Sequence, residues 1–331
     1  MDVYLVAVQA AVRPDAYRSA EAFREWVLEL TACAVAERPK LPTLVAFPEV
    51  FGMPLLVLLG ENHVPTRLSS LARLLLRRHW RALAGGALRG RGLRSFYSSR
   101  ALEVYRAYHD AFAEAARTYG VTIVAGSVFL PHVEQEASRG LHVADAHVSN
   151  VAYTFGPSGT VLDRTRKRYL TSGIESRVGL TADDAAQHSF ETPVGRVGVA
   201  ICLDGFYSGV MERFDGLGVQ IVVQPSANFA AWSRPWPADP TLTEGEAWLR
   251  YGLRQQLQNR YALRYGVNPM LVGELFGMRI EGCSSLSVNT RYAAANDSHE
   301  DPTEDAPDYP GLLALARRPD REAIVARRVT L

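Results

Sequence analysis

Short runs of aliphatic and β-branched residues, each closed by glycine, proline or a polar side chain, recur along this chain and constrain its fold more than any other feature. Val3-Tyr4-Leu5-Val6-Ala7-Val8, Leu44-Val45-Ala46-Phe47, Val121-Thr122-Ile123-Val124-Ala125-Gly126, Gly195 to Cys202 and Gln220-Ile221-Val222-Val223-Gln224-Pro225 read as buried strands. Segments with helical apolar spacing lie among them, at 17–37, about 101–119, about 208–217 and 244–265. A strand at 148–155 and another leading toward Lys167 flank the turn Gly156-Pro157-Ser158-Gly159, and short strands follow at 270–276, 283–288 and near 322–330. Strands alternating with helices give an α/β fold, and the hairpin-like pair makes the strand pairing mixed. No solenoid-length repeat and no linker interrupts the pattern, so a single domain over 1–331 is expected.

Charge and cysteine usage narrow the function classes. With 36 Lys+Arg against 35 Asp+Glu, the chain lacks the basic excess that nucleic-acid binding requires. No apolar run reaches the roughly 18 residues of a membrane span. Met1-Asp2-Val3-Tyr4-Leu5 has neither a basic region nor a small-residue cleavage site, which points to a cytoplasmic protein. Cys33, Cys202 and Cys283 are too few and too scattered for a disulfide scaffold or a zinc site, and Cys33 is expected on a packed helix. Two segments depart from the average. Between Asn62 and Leu102 there are nine arginines and no acidic residue, so an Arg/Leu-rich insertion is expected at about 62–100. Its part from Arg67 to Leu83 reads as a helix with a leucine stripe (Leu68, Leu71, Leu75). The plainest reading is a solvated amphipathic helix and loop; otherwise Arg77 and Arg78 would face a pocket entrance as a lid or oligomer contact favouring carboxylate-bearing substrates, with membrane contact through 67–83 a further alternative. The acidic run at 297–308 reads as an exposed loop.

Three strand ends carry side chains suited to chemistry. Gly198-Val199-Ala200-Ile201-Cys202-Leu203-Asp204-Gly205 is a buried strand ending in cysteine ahead of a turn and a helix. Such a turn exposes a sulfur, and a helix N-terminus favours a thiolate. Taken alone, Cys202 is better explained as a small core residue, as most free cysteines are. Phe47-Pro48-Glu49 puts a carboxylate after an apolar strand, where burial would raise its pKa toward general-base duty, although alone it reads as a surface glutamate. Arg164-Thr165-Arg166-Lys167-Arg168-Tyr169-Leu170 puts a lysine after another strand, in a basic run where each member alone reads as a solvated charge.

In this order the three segments resemble the nitrilase superfamily of carbon–nitrogen hydrolases, which uses Glu, Lys and Cys at successive strand ends. Phe47-Pro48-Glu49 is similar to its glutamate motif, Lys167-Arg168-Tyr169-Leu170 to its lysine motif, and Gly198 to Asp204 to its cysteine motif. Gly126, Asn150, Gln224-Pro225-Ser226-Ala227, Gly273 and Gly282-Cys283-Ser284 extend the resemblance over about Val3 to Ser287. Glu175, eight residues after Lys167, matches a second glutamate of the family. Departures are Ser208-Gly209 in place of Pro-Glu, a blurred Arg254 to Asn259 on the long helix, and the arginine-rich interval.

The resemblance implies a four-layer α-β-β-α sandwich that assembles as a homodimer or larger homo-oligomer. It further implies hydrolysis of a non-peptide C–N bond in an amide or ureido (N-carbamoyl) substrate. Glu49 would be the base, Cys202 the nucleophile, and Lys167 with the Leu203 backbone N–H the oxyanion partners; Glu175 would orient Lys167 or the substrate amide. Tyr169, Asn228 and Phe229 are candidates for contacting substrate. No metal or organic cofactor is implied. Leu203-Asp204 after the cysteine resembles the amide-type branches rather than the nitrile-cleaving ones. Alternatives are a nitrilase, an acyltransferase or condensing amidase on the same triad, or a catalytically silent homologue that serves as a binding partner.

Overall fold

The computed structural model describes residues 1–88, 93–136, 138–171, 175–176, 178–183, 187–295 and 309–331. Its layering follows from the period of two along each strand. In Asp2–Ala11, the residues Val3, Leu5 and Ala7 join Val197, Val199, Ile221, Val223, Val267 and Leu286, which belong to a second sheet. The alternate residues Val6, Val8 and Ala10 point the other way, onto Phe23, Trp26, Val27 and Leu30 of the helix Ala20–Val35. The second sheet repeats the arrangement: Ala200 and Val222 face outward onto Val210, Met211 and Phe214 of the helix Ser208–Gly216. Both faces of both sheets are therefore covered, which explains why the strands read as unbroken apolar runs. The result is a four-layer α-β-β-α sandwich.

The larger sheet has ten strands, with Met270–Leu275, Asp2–Ala11, Thr43–Ala46 and Thr122–Val124 parallel at its centre. Ala323–Thr330 pairs antiparallel with Asp2–Ala11, and the hairpins around Gly140–Phe155 close the other side. The six-stranded sheet has a parallel core of Gly195–Val199, Ile221–Val223 and Tyr265–Asn268. Mixed pairing thus agrees with the sequence.

Several boundaries differ from the sequence reading. The expected helix over 244–265 is two short helices, Glu244–Tyr251 and Leu253–Gln256. They part at Gly252, where a Cβ would lie 2.5 Å from the Trp248 carbonyl oxygen. The strand read at 148–155 is the longer Gly140–Phe155, and its partner Val128–Glu136 has no counterpart in the sequence reading. Pro131, His132, Glu134, Gln135 and Glu136 break the apolar alternation that would have revealed it. The helix expected from about 101 starts at Arg94, inside the arginine-rich stretch. Ahead of it, Leu68–Leu88 is helical with a non-helical residue at His79, and Leu71, Leu75 and Leu83 pack on the outer core of the larger sheet. Leu68 does not join that stripe; it is 54% exposed. Arg78 pairs with Glu61 at 3.0 Å rather than standing free. Arg89, Arg91 and the acidic run at 297–308 lie outside the described residues.

Candidate active site

Glu49 follows the fully buried strand Thr43–Ala46 and is itself 3% exposed. The turn that carries it is held by the next strand end. Gly126 has φ +74°, and a Cβ there would sit 2.2 Å from the Pro48 carbonyl oxygen. Ser127 accepts from Val50 N through its hydroxyl (2.9 Å) and from Gly52 N through its carbonyl (2.9 Å). Behind the turn, Phe47 and Phe51 pack edge-on in an aromatic cluster with Phe112. The glutamate therefore stands on a rigid floor.

Lys167 leaves the end of Val161–Arg166 and is 1% exposed. Its Nζ donates to Glu49 Oε1 at 2.7 Å and lies 2.8 Å from Glu175 Oε2. Asn150 spans the same two carboxylates, with Nδ2 2.9 Å from Glu49 Oε1 and 3.0 Å from Glu175 Oε1. Thr171 N adds a 2.7 Å bond to Glu175 Oε2. Burial raises the Glu49 pKa, the Lys167 charge opposes the rise, and the Glu175 charge adds to it. For Lys167 burial acts downward, but the charges of Glu49 and Glu175 oppose it and the ammonium is held above its ordinary range.

Cys202 sits at the corner between Gly195–Val199 and a single 3-10 turn, Cys202–Phe206, with φ +49°. A side chain with Cβ in that region costs about 1–2 kcal/mol, so other contacts must hold it there. Cys202 N donates to the Pro225 carbonyl at 2.8 Å, and its own carbonyl accepts from Gln224 Nε2 at 2.7 Å. Gly205 permits this, since a Cβ there would lie 2.3 Å from the Gln224 amide carbon. The thiol's hydrogen-bond partner is the Ala227 carbonyl, at 4.0 Å, and burial first, then the charge of nearby Glu49, pushes its pKa well up. The resting sulfur is thus a thiol facing a carboxylate. The Leu203 N–H has no protein acceptor among the described residues.

Asp204 fastens these pieces together. Its carboxylate oxygens accept from Tyr169 N at 2.7 Å and Arg168 N at 3.1 Å, tying the cysteine turn to the backbone beside Lys167. Burial pushes its carboxyl up to about 7, against those two bonds. Glu49, Lys167, Glu175 and Cys202, far apart in sequence, are thereby brought into one buried cluster.

Residues 6–247 match the carbon-nitrogen hydrolase family. The chain belongs to that family. Among curated proteins, an omega-amidase of Xenopus tropicalis is 28% identical over 124 residues, which take in 36% of this chain and 41% of the relative. The matched segment therefore spans less than half of the relative's length. Among solved structures, a carbon-nitrogen hydrolase from Helicobacter pylori G27 superposes over 99% of this chain and 88% of its own, at 16% identity and a TM-score of 0.63. An amidase from Nesterenkonia sp. AN1, in complex with butyramide, covers 99% of this chain and 90% of its own at 13% identity and a TM-score of 0.61. The Nesterenkonia amidase is described as a member of the nitrilase superfamily.

Around this buried cluster, the other sequence-derived residues fall in different places. Tyr169 stacks on Tyr207 with ring centres 3.9 Å apart. Asn228 and Phe229 directly follow Ala227, whose carbonyl oxygen is 4.0 Å from Cys202 Sγ. Asn228 directs its amide to the Ala230 and Glu281 carbonyls, so it shapes the loop, whereas Phe229 is 40% exposed. Cys33 is exposed, contrary to the packed position expected for it. The apolar face of its helix is centred on Phe23, Val27, Leu30 and Ala34, and Cys33 lies off its edge. Cys283 is buried, with its thiol pushed up to about 12 by burial. Among the described residues, Glu134, Glu136 and His142 alone cluster with metal-ligand spacing, on a hairpin outside the Cys202 cluster. The sequence reading gave Asn150 no role at the site. Its signal was an amide inside the apolar strand segment Val148-Ser149-Asn150-Val151-Ala152, at a position that proves fully buried.

Proposed function

We propose that this chain, acting over 1–331 as one catalytic domain, hydrolyses amide-type C–N bonds through a thioester on Cys202. The observation that carries the reading is the buried ammonium of Lys167 between Glu49 and Glu175, near the buried Cys202 thiol, whose pKa the Glu49 charge helps to raise. An ammonium has three N–H donors, and two are spent on those carboxylates. The third is left for the oxygen of a bound carbonyl.

Glu49 takes the Sγ proton as sulfur bonds to the carbonyl carbon, and the C=O π electrons move onto oxygen. That oxyanion is stabilised by the third Lys167 N–H and by the Leu203 amide. When the C=O bond re-forms, the C–N bond breaks and the leaving nitrogen takes the proton from Glu49. Water then replaces the amine: Glu49 removes its proton, oxygen adds to the thioester carbon, and the C–S bond breaks. The sulfur recovers its proton from Glu49 and the acid departs. Glu175 and Asn150 are positioning residues that hold Lys167 and Glu49.

The amidase names of the relatives support an amide over a nitrile as substrate class. The test is release of ammonia across a panel of amides, N-carbamoyl amino acids and nitriles, with Cys202→Ala as control. Ammonia from amides or ureido compounds, abolished in the variant, is expected. Product formed only when an added amine replaces water would make the chain an acyltransferase instead.

A further inference from the structure

The helix Leu68–Leu88 carries two rows of side chains that its packing does not use. Its inner side is accounted for: Leu71, Leu75 and Leu83 rest on the core, and His79 meets Phe96 with ring centres 4.9 Å apart. Its outer side holds an apolar row at i, i+4 spacing, interrupted at the non-helical His79, in which Leu68 and Leu76 before the break and Trp80 after it are 54%, 62% and 56% exposed. Ala72 and Ala84 complete that row and are exposed as well. Next to it runs a second row, Arg73, Arg77 and Arg81, also exposed. Among the described residues none of these three arginines has a carboxylate partner; Arg78, off the row, takes Glu61. Arg81 instead lies 5.5 Å from the Trp80 ring centre.

We propose that this outer face docks, in the plane of the surface, on the anionic headgroups of a lipid membrane. A solvated helix has no use for an exposed apolar row in water, even one interrupted at His79. Polyanions such as nucleic acid would satisfy the arginines but leave Leu76 and Trp80 exposed. A second copy meeting this face across a two-fold axis would set arginine row against arginine row, with no acidic residue anywhere in 62–102 to intervene. A lipid surface meets both rows at once. Leucine and tryptophan enter the headgroup–acyl boundary, while the guanidinium groups reach phosphates at the same depth. Among the described residues no helix is long and apolar enough to cross a membrane, so the contact is peripheral.

The test is co-sedimentation of the full chain with vesicles of phosphatidylcholine alone or mixed with phosphatidylglycerol, at low and high salt. Binding to the anionic vesicles only, weakened by salt, is expected. The triple change Arg73→Gln, Arg77→Gln, Arg81→Gln should lower the partition constant roughly hundredfold, at about one charge's worth of surface attraction per arginine. Leu76→Ser with Trp80→Ser should also release the protein at low salt, while amide turnover and chromatographic size stay as in the parent. Failure of the parent to sediment with anionic vesicles overturns the proposal. So does undiminished binding by either variant. Variants that alter oligomer size, with no vesicle binding by the parent, would assign the face to self-association.

Discussion

Asp204→Asn separates the stability and catalytic consequences of one side chain. The carboxylate is fully buried and accepts from Tyr169 N and Arg168 N, yet burial still pushes its carboxyl up to about 7 from a reference of 3.8. A carboxyl raised in this way keeps its proton in the folded chain after the unfolded chain has lost it. Its contribution is therefore intact below the unfolded value and is lost as pH climbs through the folded one. At about 1.4 kcal/mol per pKa unit, the parent loses about 2 kcal/mol near pH 5 and about 4 kcal/mol near pH 8, relative to a side chain that does not titrate. Asparagine does not titrate. It also turns an NH2 toward one of the two backbone donors, a pH-independent cost of about 1–3 kcal/mol. The stability difference should thus shift toward the variant by about 2–3 kcal/mol between about pH 5 and about pH 8. Urea unfolding of both proteins at the two pH values measures that shift. Turnover should nevertheless fall roughly 10²-fold, because the backbone beside Lys167 loses its anchor. A stability gap that is constant with pH, or that widens against the variant as pH rises, would refute the account of Asp204.

Glu49→Gln keeps the shape and one acceptor but cannot take a proton, so kcat should drop by about 10²–10⁴; steady-state ammonia release at a saturating amide checks it. Gly126→Ala forces a Cβ to 2.2 Å from the Pro48 carbonyl oxygen at φ +74°. It should lower the free energy of unfolding, read from urea denaturation, by more than the roughly 1–2 kcal/mol of left-handed alanine alone. Iodoacetamide should modify Cys33 first, since it is exposed while Cys202 is buried with a raised pKa. Activity should follow the slower modification of Cys202, as peptide mapping against residual turnover would reveal; activity lost in step with Cys33 alone would contradict the assignment.

What the sequence disclosed depended on how local the physics was. The central strands were legible because residues such as Val6, Val45 and Val222 are covered on both sides, so no polar residue interrupts their runs. Val128–Glu136 was not, because its outer half is polar at a sheet edge and only the pairing with Gly140–Phe155 keeps it extended. The break at Gly252 depends on the Trp248 carbonyl approaching it, a contact in space that propensity does not encode. At the site, Glu49, Lys167 and Cys202 were legible only together, as three motifs in an order that resembles a known family; singly, each read as a core residue or a surface charge. The roles of Asn150 and Asp204 were not legible, since their importance lies in which backbone and carboxylate groups they reach across the sandwich.

The central claim is a covalent acyl intermediate on Cys202, and rapid-quench mass spectrometry during turnover of a cleaved amide tests it most directly. Acid quenching in the first turnovers should yield the chain plus the acyl group, with peptide mapping placing the adduct on Cys202. The adduct should disappear on treatment with hydroxylamine and be missing from Cys202→Ala. Continued amide hydrolysis by Cys202→Ala, or an adduct mapping to Cys33 or Cys283, would contradict the mechanism.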